Sequence, residues 1–349
     1  MIRTQNLTFA IGSFRLDDVT IEVAPDEYFV LLGPPGSGKT LFLECLCGLR
    51  RVTAGKILLD GRDITREEPR RRSIGYVPQD YALFPHLTVR DNIAFGLRAS
   101  NTPRTSIDTK VREIAEMLGI THLLTRSTSG LSGGEKQRAA LARVLVLQPR
   151  VLLLDEPVCA LDEATRQNVC SMLRRLQKDL HLTVMHVSHS LEEAFSVADR
   201  AAVLNYGRLE QTGSLGVLLR KPTSEFVARF MRCENILEAR ASGIPDEDAS
   251  LLFIESLQLR VRGRYEGAVK VVIRPEDVIV GSAHELPHPT AFPVRVSTSR
   301  DFGGFIRVQL AGPPDLVAHL PRTAFASLSQ GPIRARLLPE SLAILQMTS

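Results

Sequence analysis

Continuous apolar runs recur along the first two-thirds of the chain. The clearest are Tyr28-Phe29-Val30-Leu31-Leu32, Val151-Leu152-Leu153-Leu154 and Leu182-Thr183-Val184-Met185-His186-Val187. Runs of this length without alternation predict strands buried on both faces, as in a parallel sheet. A shorter run, Ser73-Ile74-Gly75-Tyr76-Val77-Pro78-Gln79, predicts another strand that delivers Gln79 to its end, and Ala202-Val203-Leu204-Asn205 a further one closed by a Tyr206-Gly207 turn. Between them lie helical spacings. Leu41, Phe42, Cys45 and Leu46 form one; Val111, Ile114, Ala115 and Leu118 form another over residues 108–118, stopped by Gly119; Val169, Leu173, Leu176 and Leu180 form a third, capped by Asp162. Residues 3–23 alternate loosely and predict antiparallel strands with Leu16, Val19, Ile21 and Val23 facing inward, and residues 55–61 a short strand ending in an Asp-Gly turn. Residues 84–89 predict a loop that exposes apolar groups, suited to a protein contact.

Beyond Cys233 the helical spacing stops. Short alternating runs take over at Leu257, Leu259 and Val261, at Val269, Val271 and Ile273, and at Phe292, Val294 and Val296, then over residues 305–310 and 316–320, with Pro and Gly between. This texture predicts a small all-β barrel. The chain thus divides into an α/β domain over residues 1–232 and an all-β domain over residues 233–349, a partition that 349 residues accommodate well.

The net charge of +4 permits an acidic partner or a membrane surface without requiring nucleic acid. The basic run Arg70-Arg71-Arg72 has no interleaved aromatics and reads as a solvated loop. There is neither a signal peptide at the start nor an apolar stretch of about 20 residues, so the expectation is a cytosolic protein whose membrane role, if any, runs through a partner. The five cysteines show no CxxC spacing, and Cys45 and Cys47 read as small buried thiols.

The chemistry is concentrated at strand ends. Gly33-Pro34-Pro35-Gly36-Ser37-Gly38-Lys39-Thr40 joins the Tyr28 strand to the Leu41 helix. Strand, glycine loop and helix in that order make a phosphate cradle: backbone amides and the helix N-terminus face an anion, Lys39 adds a point charge, and the Thr40 hydroxyl suits Mg²⁺. Asp155 and Glu156 end the Val151 strand, where Asp155 suits Mg²⁺ and Glu156 is placed to take a proton from water. Gln79 and His189 stand at the ends of their own strands; His189 reads as a contact to the γ-phosphate, while Gln79 alone fits either a ligand contact or a surface turn. Ser132 and Glu135 make a capping box, as do Ser190 and Glu193. The costly glycines Gly133 and Gly134 just inside that first helix fit the close approach of a second phosphate.

Together these pieces resemble the nucleotide-binding subunit of ABC transporters from Met1 to about Arg232. Residues 33–40 resemble the Walker A loop, Gln79 the Q-loop, residues 131–135 the ABC signature, residues 151–156 Walker B, residues 160–162 the D-loop, and His189 the switch histidine. The resemblance implies an α/β P-loop NTPase domain that binds ATP and Mg²⁺. Its nucleotide contacts are residues 33–40 with Ser132, Gly133, Gly134, Glu135 and Asp162. Thr40, Gln79 and Asp155 attend the metal; Glu156 acts as general base, with Gln79 and His189 sensing the γ-phosphate. It further implies a head-to-tail homodimer in which ATP on Lys39 of one chain is closed over by Ser132, Gly133 and Gly134 of the other. The subunit would sit peripherally on the cytoplasmic face of the membrane, driving integral permease subunits and, through them, serving a substrate-binding protein, with no nucleic-acid partner.

Residues 226–230 and 273–277 look like the linker and regulatory OB-type (TOBE) barrel of importer ATPases. Residues 27–30 and 39–44 look most similar to the molybdate or tungstate type, where the barrel can bind the oxyanion; residues 297–300, Ser-Thr-Ser-Arg, offer hydroxyls and a guanidinium for one, or form an ordinary polar loop. Importers for ferric iron, sulfate, sugar or polyamine share the architecture. A soluble ABC ATPase acting on nucleic acid or ribosomes would show tandem cassettes or a long coiled-coil insertion, and this sequence has neither. Three departures stand out: no aromatic near Ile11 to stack on adenine, leaving Phe9 or Phe14 as substitutes; Cys159 where the D-loop usually has serine; and Asp26-Glu27 where Gly-Glu is common.

Overall fold

The computed structural model describes residues 1–347 except 101, 160, 284 and 329–331. Ala160, the first residue of the expected D-loop, therefore lies outside the described residues. The chain divides into two compact units, Met1–Leu215 and Gly216–Ser349.

The first unit opens as its alternation predicts. Strand β1 (Ile2–Ile11) pairs with β2 (Phe14–Val19) and the short β3 (Glu22–Val23), burying Leu16, Val19, Ile21 and Val23. Next come β4 (Tyr28–Leu32), α1 (Lys39–Cys47), β5 (Ala54–Leu59) and β6 (Arg62–Asp63), with β5 returning antiparallel to β1. Strand β7 (Ile74–Val77) leads into three helices, α2 (Val89–Ala99), α3 (Arg104–Met117) and α4 (Gly133–Leu145). Then β8 (Val151–Asp155), α5 (Glu163–Asp179), β9 (Thr183–Ser188), α6 (Leu191–Val197), β10 (Arg200–Asn205) and β11 (Arg208–Gly213) follow.

The central sheet runs β11-β10-β4-β9-β8-β7, parallel from β10 to β7, with β11 antiparallel at the edge. Every residue of β4, β8 and β9 is buried, which is why those strands read as unbroken apolar runs. In register, Leu32 lies beside Ser188, Asp155 beside Val187, and Val77 beside Leu154. Parallel strands in this register bring the segments after β4, β7, β8 and β9 out at one edge of the sheet, where α/β folds bind ligands.

Four local expectations are revised. Residues 84–89 are not all an exposed loop: Val89 is fully buried and opens α2, whose N-cap Thr88 accepts from the Asp91 N–H. Phe84 is half-buried, its ring tilted against that of Phe95 with centroids 4.6 Å apart and 5.4 Å from the Arg143 guanidinium of α4, which also donates to the Tyr81 (2.8 Å) and Ala82 carbonyls. Tyr81 and Ala82 both take left-handed backbone conformations, φ 63° and 44°. Helix α3 starts at Arg104, four residues before the predicted 108.

Arg72, read as the end of a solvated basic run, is 3% exposed. Its guanidinium donates to Cys45 O (2.9 Å) and Leu46 O (2.8 Å) at the C-terminal end of α1, and to Thr65 O and Glu67 O (each 2.9 Å). It thus satisfies carbonyls that a helix end leaves open, at the negative end of the dipole, and ties the end of α1 to the start of β7.

Ser190 caps α6 as predicted, accepting from Glu193 N–H, but Glu193 does not complete a capping box. Its carboxylate turns inward, 5% exposed, where it accepts from the Ser188 hydroxyl and lies 3.6 Å from His186 Nε2. Ser188 Oγ accepts in turn from Ser190 N–H (2.9 Å), so the chain on either side of His189 is fixed to a buried carboxylate.

Helix α7 (Leu215–Arg220) begins at the last residue of the first unit and opens the second, followed by α8 (Glu225–Phe230). The first sheet of the second unit comprises β12 (Asn235–Gly243), β13 (Ala249–Ile254), β14 (Leu257–Arg262) and β15 (Gly267–Ile273), joined at the end of the chain by a last strand. The second sheet comprises β16 (Ile279–Ser282), β17 (Phe292–Asp301), β18 (Ile306–Ala311), β19 (Leu316–Leu320) and, after the short α9 (Arg322–Ser327), β20 (Ile333–Arg336); β21 (Ala343–Gln346) then returns to β15. All pairings are antiparallel, and the inward residues of both sheets, among them Leu252, Val271, Val308 and Ala335, fill one core. Residues 297–300 are exposed on β17, with Thr298 spent on Gln309 (3.2 Å). Among the described residues no helix is long and apolar enough to cross a membrane. Cys45 and Cys47 are buried free thiols, pushed up to about 12 and about 11 chiefly by burial.

Replacing Arg72 with Met should lower the unfolding free energy by about 3 kcal/mol, because buried carbonyls lose charge-assisted donors, whereas Arg71→Met should change little. Denaturant midpoints of the two variants check this. For Glu193, burial pushes the carboxyl up, but the His186 ring and the Ser188 hydroxyl outweigh it and hold it below the ordinary carboxylate range. A depressed carboxyl stabilises the fold above its unfolded value of about 4.3, and the contribution fades as pH falls through the lower folded value. Between pH 5 and pH 3 the midpoint of Glu193→Gln should therefore fall less steeply than that of the parent chain.

Candidate functional site

The phosphate loop lies between β4 and α1, and two of its glycines have no substitute. A Cβ on Gly33 would meet Leu204 O at 2.3 Å and Ser37 Oγ at 2.7 Å. Gly38 caps α1 at φ 100°, and a Cβ there would meet the Phe14 ring at 2.6 Å. The loop can pack against β10 and under Phe14 only because both positions lack side chains.

Lys39 is 5% exposed, and its ammonium donates to Gly33 O and Pro34 O, each at 2.9 Å. Burial pushes its pKa down while Glu156 and Asp155 pull it back up. Ser37 is 1% exposed, and its hydroxyl has no partner within the chain. A buried cation bonded only to carbonyls, beside an orphaned hydroxyl and at a helix N-terminus, fits a phosphate group.

Thr40 Oγ1 donates to Asp155 Oδ1 at 3.0 Å, joining the first turn of α1 to the end of β8. The other oxygen, Oδ2, accepts from the Tyr76 hydroxyl at 3.2 Å. Burial raises the Asp155 carboxyl, and the Thr40 and Tyr76 hydrogen bonds oppose it. Tyr76 itself is raised, first by burial and then by Asp155, so the phenol stays protonated and donates. The strand pattern placed Tyr76 near the ligand edge, but its role depends on the pairing of β7 with β8, which no local motif encodes. Among the described residues no cluster of three Asp, Glu, His or Cys side chains forms a metal site. One hydroxyl and one carboxylate are the sparse, hard oxygen set that suits Mg²⁺ shared with phosphate oxygens and water.

Glu156 takes a left-handed backbone conformation, φ 46°, and its N–H donates to Val187 O (3.0 Å). This turn breaks the strand before Pro157 and points the carboxylate at His189, whose Nδ1 lies 3.3 Å from Oε1. A non-glycine residue held at positive φ is a strained arrangement of the kind that clusters at functional sites. Gln79 is exposed beyond β7, and its amide donates to Cys159 Sγ at 3.6 Å. It therefore engages the segment after Walker B rather than the Thr40–Asp155 pair.

The signature residues form a separate constellation. Ser132 and Glu135 make the predicted capping box on α4, with Ser132 N–H and Oγ both donating to Glu135 Oε2 at 2.8 Å. With Gly133, Gly134, Asp162 and Thr165 they line a cavity of about 540 Å³ that has no phosphate-loop residue in its wall. A Cβ on Gly134 would find only Thr165 at 3.8 Å, so crowding within the chain does not demand glycine there. Asp162 caps α5, accepting from Thr165 N–H (3.0 Å). Of the two aromatics weighed as adenine contacts, Phe9 is buried in the core at 7% exposure, while Phe14 borders the loop at Gly38.

Comparison with known proteins matches this geometry to a family. The ABC transporter family model matches residues 16–159, from β2 to the segment after Walker B. The chain is 40% identical over 333 residues to the molybdate/tungstate import ATP-binding protein of Pyrococcus abyssi, covering 94% of each chain. It is 38% identical over 337 residues to the sulfate/thiosulfate import ATP-binding protein of Thermosynechococcus vestitus, covering 95% of this chain and 94% of that one. A solved dimeric structure of an ATP-binding cassette in a post-hydrolysis state, bound to ADP and Pi, matches with a TM-score of 0.55 at 27% identity, over 62% of this chain and 99% of that one. With a phosphate loop of this form and kinship along nearly its whole length, the chain belongs to the ABC transporter family, as one of its ATP-binding proteins.

Proposed function

We propose that this chain is the ATP-hydrolysing subunit of an ABC importer for molybdate or tungstate, acting as a homodimer on membrane permease subunits. The observation that carries the reading is the convergence of the α1 N-terminus with the ends of β8 and β9, where Thr40 meets Asp155 and Glu156 meets His189 around a buried Lys39. ATP chemistry falls to residues 1–232 and regulation to residues 233–349.

Residues 33–40 receive the triphosphate: the amides from Gly36 onward and the α1 N-terminus face it, and Lys39 meets the β- and γ-phosphates. Thr40 and Asp155 would hold Mg²⁺, with Gln79 as the third residue attending it. Bound there, Mg²⁺ would supply neutralisation of the phosphate charge. Glu156 takes the proton of the attacking water, and His189 holds that carboxylate in place and contacts the γ-phosphate. Phe14 stacks on adenine.

The signature cavity supports the head-to-tail arrangement. Ser132, Gly133, Gly134 and Glu135 of one chain, with its Asp162, close over the nucleotide held by Lys39 of the other. The room at Gly134 then serves a phosphate from outside the chain. The solved cassette bound to ADP and Pi is dimeric, which favours this assembly. As an import subunit the dimer works peripherally at the cytoplasmic face, and a substrate-binding protein feeds the permease from the other side. For the cargo, the molybdate/tungstate relatives match at 40% identity over 94% of this chain and, for the Archaeoglobus fulgidus protein, at 50% over 65%.

Glu156→Gln should keep ATP binding and lower turnover by about 10²–10⁴, the usual worth of a general base; steady-state hydrolysis beside equilibrium ATP binding decides it. Lys39→Ala should weaken nucleotide binding by about 10–100-fold, matching a charge-assisted contact of ~1.5–3 kcal/mol, and unaltered affinity would remove Lys39 from the phosphate site. Disrupting the gene should abolish cellular uptake of tungstate and molybdate, measured by mass spectrometry of the metal, with sulfate uptake unchanged. Loss of sulfate uptake alone would reassign the cargo.

A further inference from the structure

We propose that Tyr76 is a positioning residue for Asp155: its hydroxyl fixes the plane of the carboxylate that holds Mg²⁺, so that metal affinity is set in part from strand β7. The inference rests on the reading of Thr40 and Asp155 as the metal-holding pair.

Asp155 is 2% exposed, so water has little access to orient it, and its two oxygens are taken by different elements. Thr40 of α1 donates to Oδ1 and Tyr76 of β7 donates to Oδ2. A carboxylate held at one oxygen can still swing about its Cβ–Cγ bond, because that torsion is broad. The second bond removes the freedom. With the Thr40 proton directed at Oδ1, the hydroxyl lone pairs remain for a cation, and Oδ1 keeps acceptor capacity beside them. A phenol is suited to this duty because it donates without carrying charge. An Arg or Lys in its place would neutralise the carboxylate that the cation needs.

The geometry around Tyr76 supports a fixed donor. It pairs in register with Leu153, two residues before Asp155, on the adjacent parallel strand. Its ring is half-buried against the core of the first unit. Three residues further along, the same strand delivers Gln79, so the metal-holding carboxylate and the Q-loop share one backbone support. Partners that orient a metal ligand in this way are typically worth 10–100-fold in metal affinity or activity.

The test uses the full-length chain, Tyr76→Phe, and a fluorescent ATP analogue titrated in EDTA and at increasing Mg²⁺. The ring and its packing survive in this variant, and only the hydroxyl is lost. The expected result is unchanged affinity in EDTA, with the Mg²⁺ concentration that half-saturates the binding enhancement raised about 10–100-fold. Hydrolysis should follow the same shift and recover at high Mg²⁺. An unaltered Mg²⁺ dependence overturns the proposal, and so does an equal loss of affinity in EDTA, which would mark Tyr76 as a structural support of the whole site. Asp155→Asn, titrated in parallel, separates the two levels. If it too leaves the Mg²⁺ dependence unaltered, the metal assignment itself is wrong; if only Tyr76→Phe does so, the positioning role alone falls.

Discussion

A lysine ammonium at 5% exposure, hydrogen-bonded only to two carbonyls, is the constraint on which the first unit depends. Desolvating a cation is expensive, and carbonyl dipoles offset only part of that expense. The remainder has to come from an anion, and the surroundings are arranged to receive one: glycines that let the loop pack under Phe14 and against Leu204, an orphaned Ser37 hydroxyl, and the open end of α1. The carboxylates of Asp155 and Glu156 are near enough to pull on the Lys39 proton, yet each is bonded elsewhere, Asp155 to Thr40 and Tyr76, Glu156 to His189. The parallel sheet makes this arrangement possible, because it alone delivers four chain segments to one edge in fixed register.

Where local composition dictates structure, the sequence was a sufficient guide. Strands β4, β8 and β9 are buried on both faces and are written as unbroken apolar runs; the glycine loop and the Ser132–Glu135 capping box are chemically explicit. What was missed depends on distant partners. Arg72 looks like Arg70 and Arg71 until the end of α1 is seen to need a donor. Tyr76 is one more apolar strand residue until β7 pairs with β8. Glu193 has the spacing of a capping residue, but a buried Ser188 and His186 draw it inward. Helix α2 was hidden because Pro85 and the polar residues around Thr88 resemble a loop, whereas Asn92, fully buried and bonded to Phe84, holds the helix against that loop.

The second unit was legible in kind and less so in detail. Alternation identified β14, β15, β17, β18 and β19, whose inward faces carry Val, Ile and Leu. Strands β12, β13, β16, β20 and β21 were not recognised: in β12 the inward positions Ala239 and Ala241 are small, β13 runs Leu251-Leu252-Phe253-Ile254 without alternation, and β16, β20 and β21 are four residues long and largely half-buried, so none carries a strong period-two signal. Strands β12 and β21 are placed by pairing with β15, which lies between them in the sheet.

The clamp of Arg143 on the loop after Gln79 carries a mechanical consequence. Two successive residues, Tyr81 and Ala82, stand in left-handed conformations that cost of order 1 kcal/mol or more each and persist only when their surroundings hold them. Their N–H groups donate to Pro78 O and the Asp80 carboxylate, and both carbonyls accept from one guanidinium of α4, which also lies against Phe84. The turn leading away from Gln79 is therefore joined to the last turns of α4, the helix that begins at Gly133. Parting that turn from the helix would strip two left-handed residues of the charged donor on their carbonyls, so the strain of the turn is tied to the position of α4.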